Sequence, residues 1–310
     1  SKRTSLRLYN HLRMPSARRL VTPAIPRRLK PETLLKYALY EESVQEPEVH
    51  TDMLALMHAD LTGHRAHILR EDFAGTHLLS SWWVKRDPGN RAICLDLDPE
   101  TLAYGNLRDR NQLTPAQRKR LDIRIHNVLS VTTPKADMAI ACNFSFFIFK
   151  KRETLLRYFD CVRRSLKPGG TFVLELSGGP GMIEEARETR TIKADTYNAG
   201  KKLVTLPKRF VYTWHQKTYN PITHEGRYAI HFKLPNGKKL VDAFTYDWRV
   251  WTIMELRDAL TEAGFKSTHC YWDGDHSRRK KEVPLGQSDY ARTEFGENYF
   301  SWIAQVAAVR

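Results

Sequence analysis

Three side chains stand out for the chemistry their spacing allows: Glu71, Gly75 and Asp96. Glu71 closes the run Ile68-Leu-Arg-Glu, Gly75 follows in Asp-Phe-Ala-Gly-Thr-His, and Asp96 closes a second apolar run, Ala92-Ile-Cys-Leu-Asp. We read the stretch from Ile68 to Asp98 as strand, tight turn, helix, strand. That layout holds an adenosine-containing ligand. Gly75 lets the backbone come close to the ligand, and free N–H groups at the helix start face it. A carboxylate about 20 residues further on takes the two ribose hydroxyls.

These residues must be positioned by regular elements. Ala66 to Glu71 reads as a first strand, with a helix from Thr76 to Lys85. Ala92 to Leu97 is a second strand, apolar enough to be buried on both faces. Pro99 opens a helix to about Gln112. Leu121 to Val128 and Ala136 to Phe144 are strands three and four, and Glu153 to Leu166 is an amphipathic helix. A Lys167-Pro-Gly-Gly turn then feeds a fifth strand, Thr171 to Leu176. Strands alternating with helices imply a parallel, doubly wound α/β sheet with right-handed crossovers. The pattern then changes. Lys201 to Trp248 alternates as antiparallel strands with an Asn236-Gly hairpin turn. A helix from Thr252 to Ala263, a strand to Trp272, a polar loop over 273–298 and a closing strand from Tyr299 complete the chain. A helical segment before the core, from Thr33, packs on the sheet or lids the ligand site with Tyr40 or Gln45.

The chain has 310 residues and a net charge of +15. Residues 1–31 carry nine Lys or Arg and no Asp or Glu, interrupted by Pro15, Pro23, Pro26 and Pro31. Such a segment cannot build a core. It reads as a basic extended arm (1–32) ahead of one domain (33–310). Two readings of the arm compete. One is an organelle-targeting segment, which implies a mitochondrial rather than a cytoplasmic location. The other is an arm that orders on RNA or a ribonucleoprotein. Lys201-Lys202, Lys208-Arg209 and Arg278 to Lys281 could follow phosphates, with Tyr212, Trp214 and Tyr219 stacking on unpaired bases or simply packing inward. No apolar run reaches the roughly 18 residues of a membrane span. The four cysteines are widely spaced and suggest reduced thiols, with no metal site.

The Leu166-Lys-Pro-Gly-Gly turn and the late segment ending Glu-Ala-Gly-Phe265 resemble the class I S-adenosylmethionine-dependent methyltransferases. The chain resembles in particular a bacterial family of that class, whose motifs stand here as Glu71 to Thr76, Asn143 to Ser145 and Phe244 to Arg249. The resemblance covers about residues 33 to 310. It implies a Rossmann-like, seven-stranded sheet with an antiparallel insertion (about 201–248) after strand five, and S-adenosyl-L-methionine as cofactor. It further implies that Glu71 and Gly75 shape the pocket floor, and that Arg70, Asp72 and Thr76 lie near the methionine end. Asp96 would take the ribose, Leu97 would flank adenine, and Asn127 and Val128 would meet its edge. Asn143 and Phe144 would sit where methyl donor and acceptor meet. Asn143 is the first candidate to accept from a target amine, by likeness to the Asn-Pro-Pro-aromatic tetrapeptide of amino-methyltransferases, although both prolines are missing. His77 stands where a small residue is usual, so its imidazole either fills the space beside the methionine carboxylate or donates to it. Three functions follow as expectations: a methyltransferase acting on RNA or a ribosomal assembly, an inactive methyltransferase-fold scaffold in ribosome assembly, or a small-molecule methyltransferase.

Overall fold

The computed structural model describes residues 24–194, 203–273, 283–284, 290–296 and 300–310. Most of the basic arm (1–23), Lys201-Lys202 and the Arg278 to Lys281 run lie outside the described residues.

Two helices, α1 (Pro31–Val44) and α2 (Pro47–Thr62), precede the core. There follow β1 (Ile68–Asp72), α3 (Leu78–Arg86), β2 (Arg91–Asp96), α4 (Pro99–Gln112), the single turn α5 (Pro115–Arg118), β3 (Leu121–Ile125), β4 (Ala136–Ala141), α6 (Arg152–Ser165) and β5 (Leu166–Gly178). The insertion comprises β6 (Ala186–Lys193), β7 (Arg209–Asn220), β8 (Glu225–Lys233) and β9 (Lys239–Arg249). The chain ends with α7 (Ile253–Glu262), β10 (Ser267–Asp273), β11 (Val283–Pro284), β12 (Tyr290–Arg292) and β13 (Trp302–Val309).

The main sheet has the order β11-β12-β10-β13-β5-β4-β1-β2-β3. From β5 to β3 all neighbours are parallel, whereas β13 lies antiparallel between β5 and β10. The apolar runs of β2 and β4 have a two-sided cause. Ile93, Leu95, Ala139 and Ala141 face the layer of α6 and α7, while Ala92, Cys94, Met138 and Ile140 face α2 and α3. Both parities are buried, so alternation disappears from the sequence. Pro99 begins α4 as its motif requires, with Asp98 capping the Glu100 N–H at 2.8 Å.

The insertion is a separate sheet, β6-β7-β8-β9. It starts earlier than its sequence suggests. Ala-Arg-Glu-Thr-Arg-Thr-Ile-Lys is polar throughout because β6 is an edge strand exposed on both faces. Tyr212 is buried, and Trp214 stacks on Tyr228 with ring centroids 5.5 Å apart. Both therefore pack inward rather than standing free to stack on bases. Leu39 of α1 is fully buried against Phe210, Ile230 and Phe232 of the second sheet. Burial of one such leucine stabilises by about 1.5–3 kcal/mol. The third strand ends at Ile125, short of the expected Val128. Within the polar segment after Trp272, the short strands β11 and β12 extend the sheet.

Candidate functional site

Backbone strain gathers at the C-terminal ends of β1 and β4. Phe73, His77, Asn143 and Phe144 have φ of 53°, 45°, 54° and 56°, and Gly75 has 54°. Left-handed conformations in bulky residues persist only where the surroundings impose them, and they concentrate at ligand sites. A cavity of about 1120 Å³ opens at the same place. The loop from Glu71 to Thr76 and Asn143 form part of its wall, and Lys36, Tyr37 and Tyr40 of α1 border it together with Gln45 just past that helix. Strands β8 and β9 close the far side with Tyr228, Phe244 and Tyr246. Thus α2 packs on the main sheet while α1 forms the lid, and Tyr40 and Gln45 both reach the cavity.

Successive residues of β1 point to opposite faces. Glu71 turns toward α3 and accepts the Ser80 N–H at 3.0 Å. One N–H at the helix start is therefore already taken by protein. Burial pushes the Glu71 carboxyl up to about 7, despite the Ser80 hydrogen bonds. Asp72 turns toward α6, accepting from Tyr158 Oη at 2.9 Å and from Arg70 Nε at 2.8 Å. Burial outweighs the Arg70 charge and raises the Asp72 carboxyl as well. Thr76 is buried and also lines the cavity.

Arg70 does not reach this cavity. It is fully buried, and its guanidinium donates to Asp72, to the carbonyls of Val128 and Ser130, and to Ser165 Oγ. The alternation of β1 sends it under the sheet, where it fixes the loop after β3. Val128 is buried with its carbonyl on Arg70, and Asn127 Oδ1 accepts the Leu129 N–H at 2.9 Å in a local turn. Neither they nor Leu97 border the cavity. Asp96 also stands off its wall. Its carboxylate holds the loop from beneath, accepting the Gly75 N–H at 2.7 Å and the Asp98 N–H at 2.8 Å. Burial raises it to about 6, against the opposing pull of those N–H groups. Asp98 and Thr101 border the cavity instead.

His77 does not plug the site. Its ring is fully buried between α3 and α4, with Nδ1 3.3 Å from Ser81 Oγ and 3.4 Å from Asp109 Oδ2. It rests against Gly105 of α4, where an added Cβ would lie 2.3 Å from Nε2 and 2.2 Å from the Thr76 carbonyl oxygen. Burial lowers its pKa to about 4, so the ring is neutral near pH 7. Arg108 completes this seam, bridging Glu41 of the lid to Asp109 and Ser81.

Asn143 and Phe144 follow β4, and the Asn143 N–H donates to Glu175 Oε2. Glu175 was legible as the lone acid within the apolar run Thr-Phe-Val-Leu-Glu-Leu, yet it drew no role from the sequence. Tyr37 and Lys36 gave no such signal. They look like ordinary helix residues until α1 folds over the site.

No family profile and no curated protein matches the chain. Solved structures do. DesVI from Streptomyces venezuelae superposes with a TM-score of 0.62 at 15% identity, covering 91% of this chain and 99% of that one. A S-adenosylmethionine-dependent methyltransferase from Clostridium acetobutylicum gives 0.60 at 13%, covering 89% and 98%. CalS10 from Micromonospora echinaspora, an amino pentose methyltransferase solved with S-adenosylmethionine bound, gives 0.60 at 13%, covering 89% and 96%. The chain has the class I methyltransferase fold, a large mixed sheet with a separate antiparallel sheet after its fifth strand.

Proposed function

We propose that the protein is an S-adenosylmethionine-dependent methyltransferase acting on a small molecule. The observation that carries this reading is the placement of the strained Glu71–Thr76 and Asn143–Phe144 turns in clefts bordered by α1 and the second sheet. A cleft of about 1120 Å³ suits a cofactor tail.

The residues fit the methionine end best. Glu71 supplies a carboxyl group at the floor, while Asp72 is held by Arg70 and Tyr158 and braces the loop. Asp96 serves the site by shaping the Gly75 turn through the Gly75 and Asp98 N–H groups, from behind the cavity wall. When bound, the cofactor supplies a methyl group already activated on sulfur. The chain's part is to hold the acceptor in line and keep water out. Tyr40, Gln45 and Asn143 lie where that alignment would be enforced. The imidazole that would have argued for an inactive scaffold lies outside the cavity, which supports turnover.

Thermal unfolding with S-adenosylmethionine, S-adenosylhomocysteine and adenosine tests the reading. The first two should raise the melting temperature in a saturable way. No stabilisation by either would overturn it.

The acid-free arm supports a second, compatible element: a mitochondrial location and contact with RNA or a ribonucleoprotein. Fusing residues 1–31 to a fluorescent protein tests the first, and diffuse cytoplasmic signal contradicts it. Salt-sensitive retention on RNA, lost with the arm, tests the second.

A further inference from the structure

Beyond Asn143 the first cavity meets a second of about 560 Å³, and the two share Tyr40, Gln45, Asn143 and Tyr246. Aromatic rings of Phe144, Trp214, Tyr246 and Trp248 form much of its wall. Among the described residues, four acids, Glu42, Glu46, Glu175 and Glu188, line it against Arg190 and His50. The Arg190 guanidinium is already committed, donating to the Ser43 carbonyl at 2.6 Å and lying 4.7 Å over the Tyr212 ring. The cavity is therefore negative and aromatic, which favours a cation.

Glu175 is the deepest of these acids, at 6% exposure. One oxygen accepts the Asn143 N–H and the other lies 3.6 Å from His50 Nε2. Gln305 lies directly across from it on β13, so the two side chains share a sheet face. Gln305 is 1% exposed, and neither its amide nitrogen nor its amide oxygen has a hydrogen-bond partner. Gln305 itself borders neither cavity, so it backs Glu175 from behind the wall.

We propose that the second cavity is the methyl-acceptor site, that it takes a compact primary or secondary amine, and that Glu175 receives the amine's proton. The proposal rests on the methyl-donor reading above and names its substrate class. The nitrogen lone pair forms the new N–CH₃ bond while the CH₃–S bond breaks, its electron pair staying on sulfur. The positive charge passes from sulfur to nitrogen. It is discharged when the N–H proton moves to the Glu175 carboxylate and from there to solvent. Trp214, Tyr246 and Trp248 line the cavity in which the ammonium forms. His50 is a positioning residue acting through Glu175. Burial lowers its pKa, but the Glu175 carboxylate outweighs that and raises it above the ordinary imidazole value.

The test is a titration of the full chain, saturated with S-adenosylhomocysteine. The probes are benzyltrimethylammonium, which has no N–H to methylate, and its neutral isostere neopentylbenzene. The cation should bind more tightly by a factor of about ten, and Glu175→Gln should remove most of that preference. S-adenosylhomocysteine affinity, measured on the same samples, reports an intact fold. His50 shares the cavity wall with Glu46 just before α2, Glu175 of β5, Glu42 of α1, and Glu188 and Arg190 of β6. Cation affinity should rise as pH climbs through the His50 titration, since a positive charge beside Glu175 is lost. In His50→Gln it should be flat over that range. Equal binding of the two probes, or an unchanged Glu175→Gln, overturns the acceptor assignment and leaves the methyl-donor reading standing. No binding of S-adenosylhomocysteine by the wild type overturns both.

Discussion

Glu71 and His77 are both buried and both titrate far from their ordinary values, yet they do opposite work. Glu71 keeps a carboxyl at the cavity floor whose folded pKa, about 7, lies above the ordinary 4.5. The folded state thus holds the proton longer than the unfolded chain. Stability is lost as pH rises from 4.5 through about 7, by on the order of 3 kcal/mol for a shift of that size. Glu71→Gln keeps an oxygen for the Ser80 N–H and should flatten that decline. In chemical unfolding of the ligand-free protein the variant should match wild type near pH 4.5 and exceed it above about 7. An equal decline in both would show that Glu71 is not the group responsible. His77 instead fills the α3–α4 seam. His77→Asn keeps a residue that tolerates the left-handed backbone, so it should cost stability, about 1–3 kcal/mol, and leave S-adenosylhomocysteine affinity unchanged. Tighter binding by the variant would mean that the ring obstructs the ligand after all. Sequence could not separate these cases. A positive φ at position 77 turns the imidazole toward Gly105, and nothing in the run Gly-Thr-His reveals that turn.

Elements were more legible than side-chain directions. β2 and β4 announced themselves because burial on both faces leaves continuous apolar runs, and α4 because Asp98-Pro99 caps and opens it. β6 was missed for the converse reason: an edge strand with both faces wet carries no alternation. The placement of α1 was also open, since its apolar residues suit either the sheet or a lid. What decides it is the buried bridge from Glu41 through Arg108 to Asp109, which ties α1 to α4. Burial disfavours a guanidinium charge, but Asp109 and Glu41 outweigh it and hold Arg108 protonated. Arg108→Met would leave two buried carboxylates without their cation and should cost about 3–5 kcal/mol in urea unfolding. Proteolysis should then reach residues 31–44 first. A loss under about 1 kcal/mol would show that the bridge is dispensable to the lid.

At the scale of the whole molecule, two sheets and one helix border a cleft at the strained turn that the main sheet alone would not form. The motif Glu-Asp-Phe-Ala-Gly-Thr pointed to that turn, and the insertion pointed to a second sheet. Their meeting around Asn143, which makes two adjoining cavities, depends on long-range packing that no local pattern encodes. The most direct test is isothermal titration of S-adenosylhomocysteine into the wild type and Gly75→Val. At φ 54° a β-branched residue is strained, and its side chain would stand toward Thr101 on the cavity wall. The wild type should bind at a single site, and the variant at least about ten-fold more weakly, matching a strain of 1–3 kcal/mol. Absent binding by the wild type, or equal affinity in the two proteins, would contradict a methyl-donor site at this turn.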